Sequence, residues 1–332
     1  MATRYLYGTV LTGEAVAANN RGDNIGNTTT LQKVFHQDDL HTSVSAEAIR
    51  FALRYRFQLQ NRDSVNRTYD AGVGKLDLRD EKRAYWADVI AHAKRPWIDD
   101  DLMGFMDAAA AKIEAEDESG DESGGEEKPG KKKKPKGKTT RRSSPLAVGR
   151  AVSLRPYRGE LSFNCVSGQK EKGQLSLYNA EMHTTEYQYS FGLNLNDVLV
   201  KEYIADLIDA IVDPPPVAGN HSRFAYDFSP ASIVLRVTGA HSSRIQNCFD
   251  HDEGGRTITL RRLIQRVESG DVPSGELIIG GEMSCTQDGK RLAELQVTTF
   301  PGVMTAANEA RRRLSELGGE FADLGKKMKG QS

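Results

Sequence analysis

The stretch from Tyr187 to Pro216 constrains the architecture most, because its hydrophobic period changes once and then stops. Tyr187, Tyr189, Phe191, Leu193 and Leu195 alternate with Gln188, Ser190 and Asn194, and a side-chain period of two belongs to a β-strand with one face buried. Asn196 or Asp197 can then cap a helix. In that helix Val200, Tyr203, Ile204, Leu207, Ile208 and Ile211 recur at the spacing of a single apolar face. Pro214, Pro215 and Pro216 end it, since proline lacks an N–H and its ring collides with the preceding turn.

The N-terminal region runs in the same order. Tyr5 to Thr12 is rich in β-formers, and a helix begins after Ser45, a suitable N-cap, with Glu47 at the positive end of the dipole. Ile49, Leu53 and Phe57 lie four apart on one face, and Arg50 and Arg54 form the face beside it. Further on the sequence predicts a strand from Ile233 to Thr238, a helix near Ile258 to Val267, and strands around 276–284 and 291–299. A terminal amphipathic helix over 303–328 is interrupted at Gly318 and Gly319. This order approximates βαββαβ, which predicts an α+β fold built on a ferredoxin-like antiparallel sheet with extra strands.

Charge patterning divides the chain. Residues 114–127 hold eight acidic and no basic side chains, and residues 128–142 hold nine basic and no acidic ones. From about Lys112 to Ser144 there is no aromatic residue, so this stretch is expected to be a disordered insertion, with too little apolar surface to offset the entropy of ordering. The expected divisions are 1–60, the first part of the sheet domain; 61–111, a helical insertion; 112–145, the charged insertion; 146–302, the rest of the sheet domain; and 303–332, a terminal helix and tail. The net charge of −1 shows no global bias toward nucleic acid, so a binding face has to be a local stripe.

Several chemistries lack support. Gly125 to Lys131 imitates a phosphate-binding loop, but Lys132 stands where Ser or Thr is required and no strand precedes it. Asp99, Asp100 and Asp101 read as acids opening a helix rather than a metal site, because adjacent helical side chains diverge. His251, Asp252 and Glu253 before Gly254 read as a polar turn. Hydrolase signatures are missing, and no catalytic residue, metal or cofactor is expected. Cys165, Cys248 and Cys285 lack zinc spacing and read as reduced thiols. With no apolar run near the roughly 18 residues of a membrane span, a cytoplasmic location is expected.

Three separated segments carry a resemblance. The Tyr5–Thr12 run with the Asn19-Asn20-Arg21-Gly22-Asp23 loop, Lys33 and the Ser45 to Arg54 helix comes first, followed by Met182 to Asp197 and then Ala218 to Gly239. In this order they resemble the backbone subunit of CRISPR Cascade complexes, DevR branch. The resemblance implies a modified RNA-recognition-motif sheet with a thumb-like hairpin near 160–186, which Arg141, Arg142 and the Arg150–Arg158 region would border. It implies that Asn19, Asn20, Arg21, Lys33, Ser45, Arg50, Arg54, Asn220, His221 and Arg223 contact the guide RNA. Cations and polar donors aimed at phosphate and ribose would leave base edges free to pair. Glu47 stays outside this set, since a carboxylate repels phosphate.

The partners implied are crRNA, target DNA, further copies of the chain in a head-to-tail helical array, and other Cascade subunits of Cas5-type, large Cas8-type and small class, with no membrane. The main expectation is therefore a noncatalytic crRNA-binding subunit of a type I complex that recognises DNA. One rival is an RNA-cleaving subunit using Asp23, although an Asp beside Gly also has a plain turn-forming role. The other is a stand-alone RNA-binding regulator stacking bases on Tyr5 or Tyr7.

Overall fold

The computed structural model describes residues 4–18, 21–36, 38–81, 84–106, 141–165, 177–218, 224–252, 254–255 and 257–329. At its centre β1 (Tyr5–Thr12) lies antiparallel between β16 (Tyr187–Asn194) and β17 (Pro230–Thr238). Beyond β17 come β20 (Leu277–Gly281) and, parallel to it, β21 (Thr298–Phe300). Beyond β16 come β11 (Leu146–Val148) and β12 (Ala151–Ser153), then β6 (Asp39–Val44) and β5 (Lys33–His36), making nine strands in all.

Helices cover one face. α1 (Ala46–Gln60) buries Ile49, Ala52, Leu53 and Phe57, as its apolar spacing predicts. α4 (Glu202–Val212) buries Ile204, Leu207, Ile208 and Ile211, and α7 (Val303–Ser315) contributes Ala306, Ala307, Ala310 and Leu314. They meet Leu6, Val10, Tyr189, Leu193, Ile233 and Leu235 in one core, where each large side chain stabilises by about 1.5–3 kcal/mol. Close packing dictates one glycine here, since a Cβ on Gly8 would collide with the Phe191 ring.

The half-exposed strand expected at Tyr187 to Leu195 is covered on both faces. A second core containing Leu11, Val234, Phe249, Leu263, Leu277, Ile279 and Leu292 closes the opposite side of the sheet. The alternating polar residues survive burial largely by bonding, Gln188 Oε1 alone among them being left without a partner. Gln188 Nε2 donates to the Phe249 carbonyl at 3.0 Å, and the hydroxyls of Ser190 and Thr9 lie 2.9 Å apart.

Other boundaries differ from expectation. The strand expected at 291–299 begins instead in α6 (Gln287–Glu294), started by the Thr286 hydroxyl accepting the Gly289 N–H at 3.2 Å, and only Thr298 and Thr299 of it lie in a strand, β21. Ile258 and Thr259 belong to strand β19, which pairs with β18 (Asp250–His251), and helix α5 (Arg261–Glu268) follows. The insertion expected to be helical holds α2 (Ala84–His92) and α3 (Ile98–Met103), but also the hairpin of β7 (Arg67–Asp70) and β8 (Lys75–Leu78). After it, β9 (Phe105–Met106) pairs with β10 (Arg141–Arg142), so the residues on either side of 107–140 lie next to each other. Gly104 is required there: its φ is 62°, and a Cβ would strike the Arg142 carbonyl.

The expected hairpin forms from β13 (Leu161–Cys165) and β14 (Leu177–Glu181). It joins β4 (Thr28–Leu31) and β3 (Arg21–Ile25) in a separate four-stranded sheet. A short pair, β2 (Ala15–Ala17) with β15 (His183–Thr185), connects this sheet to the main body.

Candidate nucleic-acid interface

Helix α1 supplies the first elements of the site. Ser45 caps it, its hydroxyl accepting the Ala48 N–H at 3.2 Å. Arg50 and Arg54 lie one turn apart on the flank beside the buried stripe, as the spacing predicts. Both, however, are also anchors. Arg50 donates to the Met103 carbonyl at 2.7 Å and to the Leu146 carbonyl at 3.0 Å. The Arg54 side chain is 14% exposed, with Nε 3.4 Å from Asp99 Oδ2, and that Nε makes no hydrogen bond.

A third arginine completes a cluster. Arg67, on β7, acts electrostatically on both helix arginines. Burial lowers the pKa of Arg54 to about 10, Asp99 opposes that shift, and the like charges of Arg67 and Arg50 deepen it. Burial likewise lowers Arg50, with Glu47 opposing and Arg67 adding to the shift. The Arg67 side chain forms no ion pair or hydrogen bond with the described residues. Clustered guanidinium groups with spare donors form a surface suited to an anion.

Aromatic rings adjoin this cluster. Phe51 and Tyr55 lie 6.2 Å apart and within 9° of parallel, and Tyr69 of β7 stands against them at 5.2 and 5.8 Å, near perpendicular to both. Gln58 fixes β7 against the helix. Its Nε2 donates to the Tyr69 carbonyl and its Oε1 accepts the Tyr69 N–H, both at 2.7 Å.

The three neighbouring aspartates diverge, as expected, and each serves a different neighbour. Asp99 accepts the N–H groups of Asn66 at 2.8 Å and Arg67 at 3.0 Å. Asp100 accepts Asn66 Nδ2 at 2.8 Å. Asp101 is wholly buried; burial raises its pKa, and this is opposed by the Val200 and Leu199 N–H groups and by Arg142. It replaces the cap expected at Asn196 or Asp197. α4 starts only at Glu202, and the preceding N–H groups of Leu199 and Val200 point at Asp101, at 3.1 and 2.9 Å. Among the described residues no three His, Cys, Asp or Glu side chains converge to hold a metal ion.

Of the remaining expected residues, those described lie on other elements than α1 and β7. Lys33 pairs with Glu181 of β14 and sits 4.8 Å from the centre of the Tyr157 ring. Glu181 also accepts the Leu31 N–H at 2.7 Å. Arg21 is described by its backbone alone, paired with Leu31. Asn19, Asn20, Asn220, His221 and Arg223 lie outside the described residues. Asp23 is exposed on β3, within an irregularity in the pairing between Arg21 and Asn24. His251 contacts the buried Glu186 at 2.8 Å, and Arg155 bonds the other oxygen of that carboxylate at 3.0 Å. Tyr5 and Tyr7 stack on each other, and their hydroxyls are engaged by His241.

Sequence reasoning missed Arg67, Phe51, Tyr55 and Tyr69. A signal existed for two of them, since Arg50-Phe51 and Arg54-Tyr55 repeat a cation–aromatic pair at helical spacing. Placing Arg67 and Tyr69 beside them required the fold.

An α+β chain with a mainly antiparallel sheet and a basic, aromatic helix flank fits a known class of CRISPR-associated proteins. Residues 10–259 match the family described as CRISPR-associated negative auto-regulator DevR/Csa2. A Myxococcus xanthus protein named CRISPR-associated protein Cas7/Cst2/DevR is 36% identical over 320 residues, spanning 93% of this chain and 97% of that protein. The chain therefore belongs to the Cas7/DevR family. Its fold is similar to a chain of a solved CRISPR RNA-guided surveillance complex in a pre-nicking state, with TM-score 0.58, 12% identity, and 92% of this chain and 100% of that one covered. A chain of a second CRISPR RNA-guided surveillance complex gives TM-score 0.50 at 11% identity, covering 93% and 99%.

Proposed function

We propose that this chain is a noncatalytic crRNA-binding backbone subunit that assembles head to tail along the guide in a type I CRISPR Cascade-like complex, exposing the guide for pairing with target DNA. The observation that carries this reading is the clustering of Arg50, Arg54 and Arg67 beside a well-capped helix in a chain of the Cas7/DevR family. The strand order β17-β1-β16-β11/β12, with α1 and α4 as crossovers on one face, supports a ferredoxin-like sheet of the RNA-recognition-motif type. The β13–β14 hairpin is the candidate thumb.

A heterologous interface that does not close on itself produces a helical array, and guide length then limits the copy number. Cas5-type, Cas8-type and small subunits would cap or flank this array in the cytoplasm. Phosphate contacts by arginine ignore base identity, as a subunit repeated along a variable guide requires. Tyr5 and Tyr7 bear on the rival of a stand-alone regulator: each gives one ring face to the other, leaving at most one face apiece for a base.

The test is to purify the complex through a tag on this chain and sequence the RNA it retains. Uniform repeat-derived ends around variable interiors are expected. Random cellular RNA on a monomer would overturn the assignment.

A further inference from the structure

The aromatic group on the α1–β7 flank has no task in the reading above, which uses only cations. Phe51, Tyr55 and Tyr69 are half-buried rings in mutual contact, yet the hydroxyls of Tyr55 and Tyr69 make no hydrogen bond to any described residue. Apolar surface extends from them: Leu76, which pairs with Tyr69 across the hairpin, is 53% exposed, and Leu59, one turn along α1 from Tyr55, is 59% exposed.

A patch serving only as core would be covered, and one serving only to dock an apolar protein surface would not share its strand with Arg67, two residues from Tyr69 on β7. Arg67, whose side chain makes no ion pair or hydrogen bond with the described residues, instead calls for an anion next to the rings. A single-stranded polynucleotide supplies both, because its phosphates alternate with flat unpaired bases that can stack on aromatic faces without regard to sequence.

We propose that Phe51, Tyr55 and Tyr69 form a stacking platform for unpaired bases of a single-stranded polynucleotide whose adjoining phosphates are met by Arg67. This rests on the reading of the chain as a nucleic-acid-binding subunit and adds a base-stacking site to it. The Gln58 clamp on Tyr69 holds the platform in shape before binding, which lowers the entropy lost on association.

The platform can be tested on the full chain with short single-stranded oligouridine and oligothymidine carrying 2-aminopurine, alongside a duplex of the same length. Leucine at positions 55 and 69 (Y55L and Y69L together) keeps apolar bulk without ring faces, and Y55F with Y69F keeps the rings without hydroxyls. Wild type is expected to bind both single strands with quenched 2-aminopurine emission. The leucine pair should bind roughly a hundredfold more weakly and lose the quench, since two base–aromatic stacks are lost and each carries about tenfold in affinity. The phenylalanine pair should match wild type.

Comparing oligouridine with oligothymidine tells whether ribose is read. Equal affinity and equal quench in the leucine pair and wild type would refute the platform, while crRNA still copurifying with the complex would leave the proposed function standing. A leucine pair that binds nucleic acid normally but no longer self-associates in sedimentation would reassign the patch to a contact between copies and overturn the proposal. Loss of crRNA from the wild-type complex would sink both readings.

Discussion

Removing the Asp101 carboxylate should uncouple the insertion from the body of the protein. Its side chain is fully buried and accepts from the Leu199 and Val200 N–H groups and from Arg142, whose own side chain is 13% exposed. Asp101→Ala therefore strands two backbone donors and one nearly buried cation. Breaking a buried pair from one side costs about 3–5 kcal/mol, and the Arg142 bonds to the Asp101 and Asp197 carbonyls offset only part of that. A net loss of about 3 kcal/mol is expected. Asp101→Asn, which retains an acceptor without the charge, should cost roughly half as much.

The assay can be local, because the chain's two tryptophans are Trp86 and Trp97. Trp86 lies under the Arg142 guanidinium, 4.9 Å from the ring centre, and Trp97 precedes α3. Urea unfolding followed by tryptophan fluorescence reports this region, whereas circular dichroism reports the whole chain. In wild type the two curves should coincide, and in Asp101→Ala the fluorescence midpoint should fall below the dichroism midpoint as the insertion opens first. Coincident curves with a loss under about 1 kcal/mol would refute the view that Asp101 holds the two parts together.

His183 is buried with Nδ1 2.8 Å from the Thr42 hydroxyl, and burial lowers its pKa from 6.5 to about 4. A depressed folded-state pKa gives stability that is present above pH 6.5 and lost as pH falls toward 4, worth at most about 3 kcal/mol; His183→Gln should flatten the acid limb of a stability–pH curve, and an unchanged limb would count against this origin. Because Met106 pairs directly with Arg141, replacing residues 107–140 by Asn-Gly should close a tight hairpin and leave the melting temperature and guide retention within error, a result that a loss of soluble protein would contradict. Asp23→Ala should leave complementary RNA as intact as wild type does in the presence of divalent metal, whereas regular cuts made by wild type and abolished by the substitution would move the protein to the RNA-cleaving class. Arg50→Met should destabilise by about 1–3 kcal/mol through lost bonds to the Met103 and Leu146 carbonyls, measured by the same urea titration, while Arg67→Met, which has no such bonds, should weaken RNA binding and leave stability nearly unchanged.

Periodicity and β-forming composition were enough to place β1, α1, β16, the body of α4, β17 and the break in the terminal helix near Gly318-Gly319. Each carries a local signal several residues long: a repeat of two, a repeat near four, a cap or a proline stop. The same reasoning placed Arg50 and Arg54 together on one flank, since positions four apart on a helix are neighbours whatever else the chain does. It missed α6 because Gln287 to Glu294 buries little beyond Leu292, so no apolar stripe announces the helix. It placed the start of α4 too early because the carboxylate that bonds the preceding N–H groups comes from Asp101, about a hundred residues away.

The tertiary structure alone decided three things. It covered the second face of the central sheet with residues from beyond β17, turning an apparently half-exposed strand into a buried one. It engaged Arg50 and Arg54 in anchoring the insertion as well as lining the flank. It also brought Arg67 and Tyr69, on a hairpin with no pattern of its own, against α1 to complete a cluster of like charges and rings. Local sequence encodes which face of an element is apolar; which distant element meets that face depends on contacts that no short-range period can carry.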